Sequence, residues 1–175
     1  MKEQFIHVNN KCDKRYYSDR ESLKLHREDG PAVEWSNGDK EWWINGKCHR
    51  EDGPAVEWSN GDKEWWINDK RHREDGPAVE RAGGTKSWCI NGKRHREDGP
   101  AIEWATGTKQ WYINGKRHRE DGPAVEGANG DKEWWVNGKC LSEDEFNARM
   151  NPVELTLEDI AEKFGVSVDQ LKIKK

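Results

Sequence analysis

Histidine, arginine, glutamate and aspartate recur together in this chain at a fixed spacing. The hexapeptide His-Arg-Glu-Asp-Gly-Pro begins at His26, His49, His72, His95 and His118, so the copies follow one another with a constant 23-residue period. Imidazole nitrogens and carboxylate oxygens bind metal ions and also carry general acid–base catalysis. One histidine and one aspartate per copy, however, are too few ligands for a closed metal site. We therefore predict no metal site here.

Motifs of catalysis are missing around these residues. The sequence has no glycine-rich phosphate loop and no nucleophile motif. A group that recurs five times is more typical of a scaffold than of an active centre. The sequence thus predicts a protein with no catalytic residue and no cofactor. The recurring residues have structural roles instead: we expect Asp29 to cap the turn at Gly30 and Arg50 to pair with Glu41.

The elements that position these side chains are predicted to be short β-strands. Asn37-Gly38 and Asn45-Gly46 are strong hairpin signals, because both central residues of a type I′ turn need a positive φ. They bracket strand-forming residues, so 32–35 should pair with 40–44, and 47–50 could form a third short strand. With two-residue turns throughout, Val33 lies opposite Trp42, Glu41 opposite Arg50 and Trp43 opposite Cys48.

Comparison of the copies within this one chain separates two faces. The tryptophans Trp42, Trp65, Trp88, Trp111 and Trp134 do not change, and we assign Val33, Trp42 and Ile44 to the core. Two other rows vary, and we call them together the variable face: Trp43, Trp66, Cys89, Tyr112 and Trp135, and beside them Cys48, Arg71, Arg94, Arg117 and Cys140. An aromatic ring next to an arginine favours cation–π stacking. The candidate partner-binding residues are therefore Trp43, Trp66, Arg71, Arg94, Tyr112, Arg117 and Trp135.

The repeat resembles MORN-type repeats, and more closely the MORN-variant repeats with a Gly-Pro-x-x-Glu…Asn-Gly-Lys rhythm. The matching residues are Gly53-Pro54-Ala55-Val56-Glu57, Asn60-Gly61 and Lys70. The resemblance implies a β-hairpin unit and a scaffold, a membrane-associated module or a dimerisation element. Such variants occur in a bacterial toxin–antitoxin component and in uncharacterised bacteriophage proteins. The Tyr-x-Gly spacing of the eukaryotic repeats is absent, so phosphoinositide binding is not carried over.

We therefore predict an all-β repeat array: an elongated single-layer antiparallel sheet of MORN-like hairpins with a small α-helical C-terminal cap. Residues 1–25 form an N-terminal cap with a degenerate repeat, in which Tyr16-Tyr17 stands for the Trp-Trp pair and residues 5–8 form an edge strand. Residues 26–140 hold five repeats. Residues 141–175 form the helical cap, with one helix after Ser142 and another after Thr156 that buries Leu157, Ile160, Ala161 and Phe164. A third helical turn from Ser167 or a closing strand over 171–175 follows.

Composition and charge restrict the partners. With 37% charged and only 32% hydrophobic residues the chain could be disordered, but eleven tryptophans supply the apolar area for a thin core. The net charge of −4 gives no basic footprint for nucleic acid and disfavours an acidic membrane surface. Cys12, Cys48, Cys89 and Cys140 have no paired spacing, which indicates free thiols. With no apolar leader, the chain is expected in the cytoplasm, or in the host cytoplasm if a phage encodes it.

Two functions remain open. The first is a non-catalytic scaffold whose variable face binds another protein, and the phage resemblance suggests an accessory protein that inhibits or modulates a host defence factor. The alternative is a small-ligand binder, in which aromatic rings stack a nucleotide-like ring and Arg71, Arg94 and Arg117 hold phosphate. A homo-oligomer is compatible with either function.

Overall fold

The computed structural model describes residues 5–11, 13–21, 23–150, 152 and 154–172. These residues confirm the all-β repeat fold. Thirteen strands form one open antiparallel sheet, and two short helices follow it. The chain separates into two compact units, Met1–Cys140 and Leu141–Lys175. No helix in the described part of the chain has the length and apolarity needed to span a bilayer.

The strands are short, and each of the first four copies supplies four of them. The N-terminal strands are β1 (Phe5–Val8) and β2 (Lys14–Tyr17). The copies then give β3 (Val33–Glu34), β4 (Lys40–Glu41), β5 (Trp43–Ile44) and β6 (Lys47–Cys48); β7 (Val56–Glu57), β8 (Lys63–Glu64), β9 (Trp66–Ile67) and β10 (Lys70–Arg71); β11 (Val79–Glu80), β12 (Lys86–Ser87), β13 (Cys89–Ile90) and β14 (Lys93–Arg94); β15 (Ile102–Glu103), β16 (Lys109–Gln110), β17 (Tyr112–Ile113) and β18 (Lys116–Arg117). The fifth gives β19 (Val125–Glu126), β20 (Lys132–Val136) and β21 (Lys139–Leu141).

Two strands per copy enter the main sheet, whose order is β1-β2-β3-β4-β7-β8-β11-β12-β15-β16-β19-β20-β21. The strand predicted over 40–44 is interrupted at Trp42, and beyond it β5 pairs only with β6 in a separate two-stranded sheet. The hairpins β9–β10, β13–β14 and β17–β18 repeat this arrangement. Each copy is therefore a main-sheet hairpin followed by a smaller second hairpin.

The first turn of each copy is longer than predicted, which corrects the register. The Gly38 N–H donates to the Trp35 carbonyl at 2.9 Å, and Gly38 has a φ of +95°. The loop thus has three residues, with glycine in the bulge position of such hairpins. Val33 consequently lies opposite Glu41, and the predicted pairing of Val33 with Trp42 is wrong.

The second turn agrees with the prediction. Asn45 and Gly46 have φ values of +51° and +78°, as a type I′ turn requires, and Trp43 lies opposite Cys48. In the second copy the same positions hold Asn68 and Asp69, both also with positive φ.

The buried residues do not follow the predicted core face. Val33 is 2% exposed, but Trp42 and Ile44 are only half-buried. Because Val33 pairs with Glu41, its side chain shares a sheet face with the variable rows and not with Trp42. The alanine of each Gly-Pro-Ala sequence is fully buried, and Ala101, Ile102 and Tyr112 form one buried cluster.

The N-terminal strands share backbone hydrogen bonds with the pattern of the five copies. The Tyr16 N–H donates to the Ala32 carbonyl at 2.8 Å, just as the Trp42 N–H donates to the Ala55 carbonyl. Tyr17 is bridged to Leu25 in the way that Trp43 pairs with Cys48. The extra length by which this copy exceeds the period therefore lies in the loop between Tyr17 and Leu25.

The C-terminal unit contains α1 (Glu143–Met150) and α2 (Leu157–Phe164), followed by a 3-10 turn over Val168–Gln170. The helix starts predicted at Ser142 and at Thr156 are both present as capping boxes, and α2 ends at Gly165 with a φ of +64°. Of the apolar face predicted for α2, Ala161 is 5% exposed. Leu157 at 41% and Phe164 at 70% are exposed, contrary to the prediction. The closing strand considered over 171–175 lies largely outside the described residues.

Candidate functional site

The recurring hexapeptide forms a structural clamp between neighbouring copies. The Arg50 guanidinium lies 4.1 Å from the centre of the Trp42 ring, donates to Asp52 at 2.9 Å and pairs with Glu57 at 3.3 Å. The same stacking joins Arg73 to Trp65, Arg96 to Trp88, Arg119 to Trp111, and Arg27 to Tyr16. The predicted pair between Arg50 and Glu41 is wrong. Glu41 enters the main sheet between Val33 and Val56, whereas the Arg50 N–H donates to the Trp66 carbonyl of the next copy.

The histidine and aspartate of the hexapeptide are also engaged. The Asn45 N–H donates to Nδ1 of His26 at 3.1 Å, so this imidazole holds the second hairpin turn of its own copy. Asp29 accepts from the Arg27 side chain rather than capping the turn, and that guanidinium holds the pKa of Asp29 below its usual value. Nowhere in the described ranges do three or more His, Cys, Asp or Glu side chains group as metal ligands would.

The clamps lie on the sheet face opposite the variable rows. Glu57, the strand carboxylate of the Arg50 clamp, alternates along its strand with Val56, and Val56 lies opposite Glu41 and Glu64. We call this the clamp face. Acidic residues of successive hexapeptides line its clefts, as in the cleft of about 620 Å³ between the first two copies.

Residues at the position of Glu41 form hydrogen bonds with residues at the position of Trp43. The Trp43 indole donates to Glu41 at 2.8 Å, and the equivalent pairs are Trp66 with Glu64 and Trp135 with Glu133. In the fourth copy both residues differ, and the Tyr112 hydroxyl donates to Gln110 at 3.2 Å. In the third copy Ser87 and Cys89 face each other at 3.8 Å. Residues two apart along an extended segment point to the same side, which brings the positions of 41 and 43 together.

A buried carboxylate organises the middle of the variable face. Glu64 is 3% exposed and receives hydrogen bonds from Arg71 at 3.0 and 3.1 Å and from Arg81 at 2.7 Å. Arg81 also pairs with Asp62 and lies over the Trp58 ring. A buried carboxylate with two cationic partners satisfies its charge.

The predicted site residues differ from one another in their exposure to solvent. Trp43, Trp66, Arg71, Arg117 and Trp135 are half-buried, Arg94 is exposed, and Tyr112 is 8% exposed in the core cluster. The predicted cation–π contacts are present as Arg71 over Trp66, Arg94 over Tyr112 and Arg117 over Trp135, at 5.0–5.3 Å. Arg117 also pairs with Glu133 at 3.1 Å.

Sequence reasoning missed two residues of this face, Arg81 and Trp104. They occupy the position of Trp35 at the end of the first strand, where the five copies hold Trp35, Trp58, Arg81, Trp104 and Gly127. Trp104 is 43% exposed. The variation at this position among the copies was the available signal, and in the third copy it coincides with changes at the positions of 41 and 43.

Cys48 and Cys89 are free thiols. Cys48 and Cys89 are buried and Cys140 is exposed, while Cys12 lies outside the described residues. Burial, followed by the charge of Glu41, raises the pKa of the Cys48 thiol to about 12. Burial likewise raises the pKa of Cys89. These two buried thiols are therefore protonated and unreactive at neutral pH.

The search against protein-family models matches none to this sequence, and no curated protein shows significant similarity to it. Its description therefore rests on the repeated hairpin, whose strands join from copy to copy in one antiparallel sheet.

Proposed function

We propose that this chain is a non-catalytic repeat scaffold that binds another protein through its variable face. The observation that supports this proposal is the location of the residues that differ between the copies. The clamp residues are the same in all five copies, whereas residues at the positions of 35, 41, 43 and 48 differ and lie together on the other face. A framework that repeats unchanged beneath a varied surface suits recognition of an asymmetric partner.

The chemistry of this face supports protein binding. It presents half-buried tryptophans beside arginines, and these residue types dominate the energetics of protein interfaces. The half-buried rings are already held by hydrogen bonds to Glu41, Glu64 and Glu133, so little side-chain entropy is lost when a partner covers them.

The finer identity of the chain rests on resemblance. The repeated hairpin with its Gly-Pro-Ala-Val-Glu sequence resembles the MORN-variant repeats, which occur in bacteriophage proteins. On that resemblance we propose a phage accessory protein that acts in the host cytoplasm and binds and inhibits a host defence factor. Because the clamp residues are used structurally, the proposal assigns no catalytic step to the chain.

The test is affinity capture from a bacterial lysate with the full chain, followed by measurement of the purified pair. The variant Arg94→Ala/Arg117→Ala removes two guanidinium groups from the variable face, and we expect at least about tenfold weaker binding. Tyr112 is unsuitable for substitution because it is buried in the core cluster.

The matched control is Glu51→Gln/Glu74→Gln, which alters two clamp-face side chains that are 85% and 84% exposed. This control should bind the partner as the unaltered chain does. Equal binding by the arginine variant, with an unchanged circular dichroism spectrum, would show that the variable face is not the interface.

A further inference from the structure

The third copy differs from the first two at four positions that meet on the variable face. Ser87 stands where Glu41, Glu64 and Glu133 stand in other copies, and Cys89 stands where they have an aromatic ring. Arg81 replaces a tryptophan and Thr85 replaces an aspartate. One aromatic ring and two carboxylates are thereby lost from one place, and an arginine takes the place of a second ring.

A cavity of about 510 Å³ lies at these four positions. It is lined by Arg71, Arg81, Arg94, Thr85, Ser87, Cys89, Val79, Ile102, Gly92 and Trp104. Three of these side chains are cationic, two carry hydroxyls and none is a carboxylate. The volume lies in the range of small-molecule sites, and the combination of cations, hydroxyls and one indole is suited to an organic anion.

Arg94 is the lining cation that has no ion-pair partner among the described residues. Its equivalent Arg71 pairs with Glu64 seven residues earlier, and Arg117 pairs with Glu133 sixteen residues later. For Arg94 those two places hold the neutral residues Ser87 and Gln110. In the described part of the chain its guanidinium forms no ion pair. It lies over the Tyr112 ring in a cation–π contact, 5.3 Å from the ring centre.

The other two arginines are fixed in advance. Arg71 and Arg81 both donate to the buried Glu64, so their guanidinium groups are positioned at the cavity wall before any ligand arrives. The carboxylates of Glu64 and Asp62 balance the charges of these two arginines, and neither carboxylate lines the cavity. Arg94 adds a further positive charge. Thr85 accepts from the Ala105 N–H, which leaves its hydroxyl hydrogen available to an anion.

Trp104 supplies a flat apolar surface beside these donors. It is 43% exposed and belongs to the cavity lining, so a planar ring could stack on it while the anionic end reaches the arginines. The guanidinium groups and hydroxyls together offer more hydrogen-bond donors than a carboxylate ligand can use, and they match the several oxygens of a phosphate.

We propose that this cavity binds a small phosphate monoester that carries a planar aromatic ring, the chemistry of a nucleoside monophosphate. The site is centred on the third copy and is completed by Arg71 of the second copy and Trp104 of the fourth. Its occupancy does not depend on the protein partner proposed above. The phosphate lies against Arg94 and the hydroxyls of Thr85 and Ser87, and the ring lies on Trp104.

Isothermal titration calorimetry of the full chain with AMP, GMP and inorganic phosphate tests this assignment. We expect one site per chain, with the nucleotide bound at least about fivefold more tightly than inorganic phosphate because the base adds stacking. Absence of binding of all three at millimolar concentration overturns the proposal. Equal affinity for phosphate and nucleotide overturns the role of Trp104.

The decisive variant is Ser87→Glu/Cys89→Trp, which gives the third copy the residues of copies one, two and five and should therefore fold. The new carboxylate would pair with Arg94 and the indole would fill the cavity, so binding should be lost. Arg94→Gln should weaken binding about tenfold or more. Trp104→Ala should weaken the nucleotide and leave inorganic phosphate unchanged.

The matched control is Arg117→Gln, which removes the equivalent arginine of the fourth copy, already paired with Glu133. This variant should bind the nucleotide as the unaltered chain does. If Ser87→Glu/Cys89→Trp still binds, or if Arg117→Gln loses binding as Arg94→Gln does, the ligand site is elsewhere and the proposal fails. No partner protein enters these measurements, so their failure leaves the proposed scaffold function standing.

Discussion

The clamp arginine is the residue that joins one copy to the next. Arg73 stacks on Trp65 of the preceding copy while it pairs with Asp75 and Glu80 of its own and donates to the Pro77 carbonyl. The half-buried indole is thereby covered by a cation and not by a second hydrophobic layer. This explains how the invariant tryptophans can stabilise the fold without being fully buried.

Replacing Arg73 with lysine should destabilise the array. A lysine keeps the charge but loses the planar stacking and the forked hydrogen bonds, so we expect a loss of about 1–2 kcal/mol. Urea denaturation of the full chain measures this. The control is Arg94→Lys, whose side chain has no ion pair to lose and which should change stability by less than about 0.5 kcal/mol. Equal stability of both variants would contradict the clamp.

The aspartates of the clamps predict a dependence on acid. The Arg73 guanidinium holds the pKa of Asp75 below its ordinary value of 3.8, and the same cause acts on Asp29, Asp52, Asp98 and Asp121. A lowered folded-state pKa stabilises the fold above the pKa of the unfolded chain, and this stabilisation is lost as the pH falls through the folded-state value.

The urea midpoint should therefore stay level from neutral pH to about pH 5 and fall below about pH 4. The variant Asp75→Asn should be less stable than the unaltered chain at pH 7. The difference should shrink below about pH 4, where the carboxyl of the unfolded chain becomes protonated, until the pH passes the lowered pKa of the folded chain. A difference that persists undiminished at about pH 2.5 would rule out the charge of Asp75 as its cause.

At the scale of the element, the two turns of each copy show why one Asn-Gly pair was interpreted correctly and the other was not. Asn45-Gly46 forms the predicted type I′ turn, whereas Asn37-Gly38 belongs to a three-residue loop. Asn-Gly suits both, because each needs glycine at a positive φ. The fourth copy carried the missing signal: Thr106 occupies the place of Asn37, and a β-branched residue is disfavoured at the positive φ of a type I′ turn.

The second hairpin turn offers a test at Gly92. Its φ is +80°, and a Cβ there would meet Lys70 only at an ordinary 3.6 Å, so Gly92→Ala should cost about 1–2 kcal/mol through backbone strain alone. In the second copy Asp69 takes this position with a φ of +62° and accepts the Cys48 N–H at 2.8 Å.

Gly92→Asp should regain the corresponding bond to the Arg71 N–H and remain within about 0.5 kcal/mol of the unaltered chain. Thermal or urea denaturation compares the two variants. If Gly92→Ala is as stable as Gly92→Asp, the turn does not hold the neighbouring hairpin in this way.

The sequence predicted the fold more completely than the candidate site. The period and the starts of both helices follow from local residue types, and the structure has both. The face assignment failed because one extra loop residue reverses which side chains share a side, so Val33 lies with Glu41. The cavity of the third copy could not be located without that register, although the joint change at Ser87 and Cys89 was visible in the sequence.

At the scale of the whole molecule, the array is held by bonds that recur from copy to copy. Asp39 accepts the Ser59 N–H at 2.7 Å, Asp62 accepts the Ala82 N–H, and Thr85 and Thr108 accept from Ala105 and Ala128. The first copy joins this ladder through Asp13, which accepts the Ser36 N–H at 2.8 Å. Each copy thus bonds to its immediate neighbours, which predicts that the number of copies can change without loss of the fold.

Deletion of residues 95–117, which is one full period, should therefore give a folded protein. The cut joins Arg94 to His118, so Arg119 can stack on Trp88 as Arg96 does in the full chain. The loss should be about 1–3 kcal/mol, the share of one copy in a typical domain stability. A cooperative urea transition with a lower midpoint is the expected result.

The control is a deletion of residues 95–106, about half a period, which removes β15 and keeps β16. Neighbouring strands of the main sheet are antiparallel, so without β15 the strands β12 and β16 would meet running in the same direction. The connection left between them is too short for the crossover that a parallel pair needs. This variant should therefore lose cooperative unfolding from the third copy onward. If it unfolds like the full-period deletion, then strand pairing between neighbouring copies is not what holds the array together, and the clamps alone must do so.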